Sequence, residues 1–136
     1  MYESETQLRV RYAETDQMGI VYYGNYAQYF EVGRVESIRG LGYTYKTMEE
    51  EGVIMPVIEL NIKYLRSAMY DDLITVKTSV RELPDHHRIE FFQEVFNEQG
   101  KLLTTGKVVL YFLDAKTRQK TTMPNTLKEK LLPYFK

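Results

Sequence analysis

The chain has no cysteine and no tryptophan, only two histidines, and four prolines scattered at Pro56, Pro84, Pro124 and Pro133. Without cysteine there is no disulfide framework, no thiolate zinc site and no cysteine nucleophile. The same lack suits a reducing cytosol, and a cytoplasmic location is the expectation. The histidines are the adjacent pair His86 and His87, so a Ser-His-Asp machine would have to recruit one of them. No apolar run approaches the roughly 20 residues of a membrane span, so no membrane-spanning segment is expected. The opening Met1-Tyr2-Glu3-Ser4-Glu5-Thr6 is acidic and polar, unlike a secretory signal. Charge of neither sign dominates: 18 Lys+Arg face 19 Asp+Glu, and no nucleic-acid partner is expected. No linker, low-complexity tract or repeat interrupts the sequence, so residues 1–136 read as one domain.

What is present is ordinary for a globular protein, at 43% hydrophobic and 27% charged, except for twelve tyrosines. Tyrosine is amphipathic and favours half-buried strands and interfaces.

Periodicity organises the chain. Thr6 to Tyr12 alternates Leu8, Val10 and Tyr12 with Arg9 and Arg11, which predicts a strand with one buried face. Ala13 to Gly24 fits neither period and reads as a structured loop. Asn25 to Arg39 reads as the main helix, capped by Asn25 and ended by Gly40 and Gly42. Ala27, Phe30, Ile38 and Leu41 fall near one face of it. Gly33 costs this helix roughly 1 kcal/mol against alanine, which close approach to a crossing sheet would offset. A short second helix is expected from Tyr45 to Glu51. Strands follow at Val57–Leu65, Leu73–Arg81, Arg88–Phe96 and Leu102–Leu113, the last two apolar on both faces as central strands are. A short helix is expected within Pro124–Tyr134. The order predicts an α+β fold, with a five-stranded antiparallel sheet wrapped around one long helix. One helix leaves part of such a sheet uncovered, so a second copy is expected to complete it.

Chemistry concentrates in Tyr12-Ala-Glu-Thr-Asp-Gln-Met-Gly-Ile-Val-Tyr-Tyr-Gly-Asn-Tyr26. Asp16 lies in the loop, Gly19 where the chain can turn, and the amides of Tyr23, Gly24 and Asn25 at a helix start. Such amides lack intrahelical partners and suit a developing oxyanion. A nearby carboxylate can act as nucleophile or general base. Glu31, on the helix, could help position water. Arg66, Arg81 and Arg88 carry the guanidinium groups that suit phosphate. His86 and His87 form a turn doublet without further ligands, and Asp71 and Asp72 read as turn residues, so no metal site is expected.

The segment Asp16-Gln-Met-Gly-Ile-Val-Tyr-Tyr-Gly-Asn-Tyr26, running into Tyr29-Phe-Glu31 and Arg34, resembles the signature of the hotdog-fold acyl-CoA thioesterases. The similarity is to the branch of 4-hydroxybenzoyl-CoA thioesterase and the bacterial YbgC-type enzymes. Ile62-Lys-Tyr-Leu-Arg-Ser-Ala68, Tyr70-Asp-Asp-Leu73 and Thr105–Asp114 extend it over nearly the whole chain. The resemblance implies Asp16 as the catalytic aspartate and Tyr23 as the residue whose backbone amide polarises the thioester carbonyl. It implies that Gly19 lets the loop pass close to substrate and that CoA contacts can come from both chains; Gly24, at the helix start, and Arg66 and Arg88, by their guanidinium groups, are the further substrate-binding candidates. It also implies a homo-oligomer, dimer or tetramer, with the active site at the dimer interface. Many YbgC-type members have histidine where this chain has Tyr23; either residue supplies an amide. The expected activity is hydrolysis of an acyl-CoA to a free acid and CoA, with no cofactor. The alternatives are an acyl-carrier-protein thioesterase or a non-catalytic acyl-CoA-binding protein of the same fold.

Overall fold

The computed structural model describes all 136 residues. Seven strands are present: β1 (Tyr2–Arg9), β2 (Val53–Ile54), β3 (Val57–Tyr64), β4 (Leu73–Val80), β5 (Arg88–Phe96), β6 (Leu102–Tyr111) and β7 (Leu113–Asp114). Helices are α1 (Tyr26–Arg39), α2 (Tyr45–Glu50) and α3 (Asn125–Leu131). Five strands form one antiparallel sheet in the order β1-β4-β5-β6-β3, and β2 pairs separately with β7. The sheet wraps around α1, which is the hotdog arrangement.

Alternation decides the sheet's two faces. Ile74, Val76, Thr78 and Val80 of β4 are buried, as are Ile89, Phe91, Gln93 and Val95 of β5. The register aligns these rows: Val76 opposes Val95, and Thr78 opposes Gln93. The outer face carries charge instead. There Lys77 meets Glu3 at 3.3 Å, Arg88 pairs with Glu90, and Lys107 lies 3.8 Å from both Glu59 and Glu90.

The inner face holds α1. Phe30 is fully buried, its ring lying where a Cβ on Gly106 would stand. At Gly33 an added Cβ would come within 2.6 Å of Val76, 2.8 Å of Gln93 and 2.8 Å of Thr78. The expected close approach is therefore present, against side chains of β4 and β5 rather than backbone. Gln93 ties the layers together. Its amide donates to the Phe30 carbonyl (2.8 Å) and to Thr78 Oγ1 (2.9 Å), and its Oε1 accepts from Arg34 Nη1 (3.2 Å). Arg34 is itself buried, and no carboxylate pairs with it.

Three expectations are corrected. The first strand starts at Tyr2, not Thr6. The Tyr2 hydroxyl donates to the Ser37 carbonyl (2.6 Å) and its ring packs against Tyr134, anchoring a segment that looked like a polar terminus. Tyr12 lies beyond the strand in a 3-10 turn and is 76% exposed. Asn25 holds the N-cap position of α1, but its side chain makes no capping bond: a 3-10 turn over Tyr23–Asn25 precedes the helix, and the side-chain amide donates to the Glu14 carbonyl instead (2.8 Å). Finally, β5 is central in the sheet but not apolar on both faces, because Arg88, Glu90 and Glu94 line its outer face. The exposed apolar residues lie instead on β3, a sheet edge, where Val57, Ile58, Leu60 and Tyr64 are all exposed.

Candidate functional site

The loop before α1 is a small hairpin. The Tyr22 amide donates to the Glu14 carbonyl (2.9 Å), and the Asp16 amide donates to the Ile20 carbonyl (2.8 Å). Thr15 bridges Val21 between those bonds. Gly19 makes the turn at φ +79°, a conformation that side-chain-bearing residues rarely adopt. Its amide donates to the Asp16 carbonyl (3.0 Å). The hairpin in turn docks on the β3–β4 connection. There the Val21 amide donates to the Ala68 carbonyl (2.9 Å), and the Ala68 amide donates to the Tyr26 hydroxyl (3.1 Å).

This folding places Asp16 on one arm and Tyr23 just past the end of the other. Asp16 Oδ1 accepts the Met18 amide (2.8 Å); the second carboxylate oxygen has no partner in the chain, and no cation pairs with either. The Asn25 amide closes a turn onto the Tyr22 carbonyl (2.9 Å), and the Tyr26 amide one onto the Tyr23 carbonyl. The amides of Tyr23 and Gly24, between them, have no acceptor within the chain. Both stand at the positive end of the helical segment.

Tyrosines wall the spot. Tyr23 packs against Tyr22 and Tyr64, and Tyr64 also meets Tyr26. The Tyr64 hydroxyl donates to the Tyr23 carbonyl (3.2 Å). Burial raises the pKa of Tyr26 and Tyr64, so both phenols stay neutral at physiological pH. The Tyr23 side chain is 62% exposed.

The other sequence candidates separate. Gly24 follows Tyr23 in the 3-10 turn at the head of α1, and Arg66 lies in the docked β3–β4 connection, its amide donating to the Leu103 carbonyl (3.0 Å). Arg88 does not join them in this chain. It opposes Tyr111, whereas the site lies beyond the Tyr64–Thr104 pair, seven residues along β6. At 3.3 Å per residue the separation is about 20 Å. Arg88 is also paired with Glu90, and Arg81 lies 3.8 Å over the Phe92 ring on the outer face. Glu31 is exposed on α1. No group of three or more metal-ligating side chains occurs.

One residue was missed. Glu14 is only 8% exposed. Its Oε1 accepts the Arg11 amide (2.8 Å) and the Tyr29 hydroxyl (2.9 Å), and its Oε2 accepts Arg11 Nε and Nη2 at 3.2 and 3.1 Å. Burial pushes its pKa up, but these donors outweigh burial and hold it below the ordinary carboxylate value. The Tyr29 hydroxyl is raised, by burial first and then by that carboxylate. The available signal was an acidic residue two positions before Asp16 and three after an arginine.

The family model of the Thioesterase-like superfamily matches residues 10–131. The chain belongs to that superfamily. YneP of Bacillus subtilis (strain 168), which carries a provisional acyl-CoA thioesterase name, is 39% identical over 102 residues, covering 75% of this chain and 73% of YneP. The acyl-CoA thioester hydrolase YbgC of Escherichia coli O157:H7 is 24% identical over 120 residues, covering 88% and 89%. The crystal structure of the DHNA-CoA thioesterase of Staphylococcus aureus superimposes with a TM-score of 0.90 at 38% identity, covering 99% of this chain and 90% of that one.

Proposed function

We propose that this superfamily member hydrolyses an acyl-CoA thioester to a free acid and CoA, with its reacting centre between Asp16 and the amides of Tyr23 and Gly24. The observation that carries this reading is the pair of unpartnered amides at the head of α1, reached by the same hairpin that carries a loop carboxylate with one free oxygen. The thioester carbonyl oxygen accepts from those amides, which hold the negative charge that develops as the carbonyl carbon becomes tetrahedral. One such donor is worth roughly 2.7–4 kcal/mol in the transition state. Asp16 either attacks the carbonyl carbon, expelling the CoA thiolate and leaving an anhydride for water to open, or takes a proton from the attacking water. The Met18 amide fixes one Asp16 oxygen, so the free one is aimed without needing a second side chain. Arg66 is the phosphate-binding candidate on this chain.

The active form proposed here is a dimer joined along β3. Val57, Ile58, Leu60 and Tyr64 are apolar and exposed on an unpaired edge, and Tyr64 touches the site. A second β3 laid against this one would cover them and bring two chains to each site.

Hydrolysis of short-chain, long-chain and aromatic acyl-CoAs, with the same acyl groups on acyl carrier protein, tests the reading. Turnover is expected on CoA esters. It should fall about 10²–10⁴-fold in Asp16→Asn, a variant that still accepts the Met18 amide. Near-normal turnover in that variant would remove Asp16 from the chemistry.

A further inference from the structure

Glu14 holds the two halves of the site in register by using its side chain and its main chain at once. The carboxylate is bound from two directions. Arg11, at the start of the 3-10 turn, supplies its amide and its guanidinium, and Tyr29, one turn inside α1, supplies its hydroxyl. The carbonyl of the same residue is also bound twice, by the Tyr22 amide and by the Asn25 side-chain amide. Tyr22 and Asn25 are the residues that flank Tyr23 and Gly24. Both main-chain bonds from Glu14 to the helix start therefore end beside a free amide, and Asp16 follows two residues later on the same arm.

We infer that Glu14 is a positioning residue for the thioesterase reaction: it fixes the Asp16 arm against the first turn of α1, and so sets the carboxylate relative to the Tyr23 and Gly24 amides. The inference rests on the reading of Asp16 and those amides as the reacting centre. Glu14 does not touch substrate in this arrangement, because its carboxylate oxygens are filled by Arg11 and Tyr29 and the residue is buried. Its charge matters to the grip. A glutamine keeps the shape and one acceptor, but it loses the ionic bond to Arg11 and presents an amide NH2 where Oε1 or Oε2 accepted protons. The arm would then shift by a fraction of its present separation from the helix. Shifts of this kind cost rate rather than affinity, since about 1 Å of misplacement at a reacting centre can cost as much as 10²-fold.

The test compares wild type with Glu14→Gln, Tyr29→Phe and the double variant, on the acyl-CoA that the wild type hydrolyses best. Circular dichroism and thermal melts establish that each is folded at the assay temperature. Glu14→Gln is expected to lower kcat by about 10- to 100-fold and to leave KM within a factor of about two. Tyr29→Phe keeps the buried ring and loses only the hydroxyl, so a smaller loss of the same kind is expected. The double variant should lose less than the product of the single losses, because the two groups share one bond. A lowered melting temperature with unchanged kcat in either single variant would overturn the inference and leave Glu14 a structural brace only. A loss confined to KM would overturn it too. If Glu14→Gln does not fold, the kcat of Tyr29→Phe decides. Asp16→Asn serves as the control on the underlying reading. If it turns over normally, the reacting centre is wrong, whatever the Glu14 variants do. If it is inactive while the Glu14 and Tyr29 variants keep full kcat, only the positioning role fails.

Discussion

The Tyr64 hydroxyl donates to the Tyr23 carbonyl oxygen across 3.2 Å, which ties an edge strand of the sheet to the start of the central helix. That carbonyl belongs to the peptide unit whose nitrogen is the free amide of Gly24. A donor on the oxygen draws electron density from the N–H, making it a stronger donor in turn. In the proposed mechanism, Tyr64 therefore strengthens the Gly24 donor from behind.

Removing that hydroxyl should weaken the pair without opening the site. Tyr64→Phe keeps the ring against Tyr23 and Tyr26. A neutral hydrogen bond is worth about 0.5–1.5 kcal/mol net, so kcat should fall about 2- to 10-fold. Steady-state kinetics on the best acyl-CoA checks it, and an unchanged kcat would show that the bond does not reach the reaction.

The Tyr23 phenol should matter little. The proposed contribution is its backbone amide, which Tyr23→Phe preserves, and the side chain points largely into solvent. Turnover within a few-fold of wild type is expected, far milder than in Asp16→Asn. An equal loss in the two variants would assign chemistry to the phenol.

A charge on the exposed sheet edge should separate the chains and silence the site together. Leu60→Lys faces solvent in a single chain, so the fold should survive it. Lysine on an edge strand opposes pairing with another chain. Sedimentation should then give a 16.1 kDa species, the mass of one chain, with little or no hydrolysis. A fully active single chain would refute the shared site, and a wild type that sediments as a tetramer would extend the assembly beyond β3.

Gly33→Ala should destabilise, although alanine is the better helix former. The gain in propensity is about 1 kcal/mol. Against it, the new methyl must enter space held by Val76, Gln93 and Thr78 at 2.6–2.8 Å. Overpacking of this kind typically costs about 1–3 kcal/mol, so denaturant unfolding should show a net loss. A more stable variant would mean that the helix can lift away from the sheet.

Much of this architecture was legible in the sequence. The bounds of β5 agree with the reading at both ends, because it runs between two turn-forming segments, although its outer face carries Arg88, Glu90 and Glu94 rather than the apolar side chains expected of a central strand. The Asp16 loop was legible for another reason: it fits no period yet leads into the long helix. The start of β1 was hidden because Glu3 and Glu5 point outward, where Lys77 and solvent receive them, and polar residues on an outer face look like a tail. The edge position of β3 was hidden because its alternation matches that of an inner strand. Exposure there depends on where α1 ends its coverage, which is a property of the assembled layers. Glu14 was hidden because a loop carboxylate reads as solvated until Arg11 and Tyr29 are brought around it.

Gln93 gives the central helix a fixed azimuth. With its amide on the Phe30 carbonyl and its oxygen on Arg34, it engages both the backbone and a side chain of α1 from one position on the sheet. A roll of the helix by one residue, about 100°, would break both bonds and strand a guanidinium against hydrocarbon. Sliding along the axis would break them as well. The direction in which the Tyr23 and Gly24 amides point is thus held partly from the middle of the helix, by a residue on β5. Substitutions around the head of α1 can alter what lies in front of those amides, but they inherit a bearing that Gln93 helps to set from the sheet.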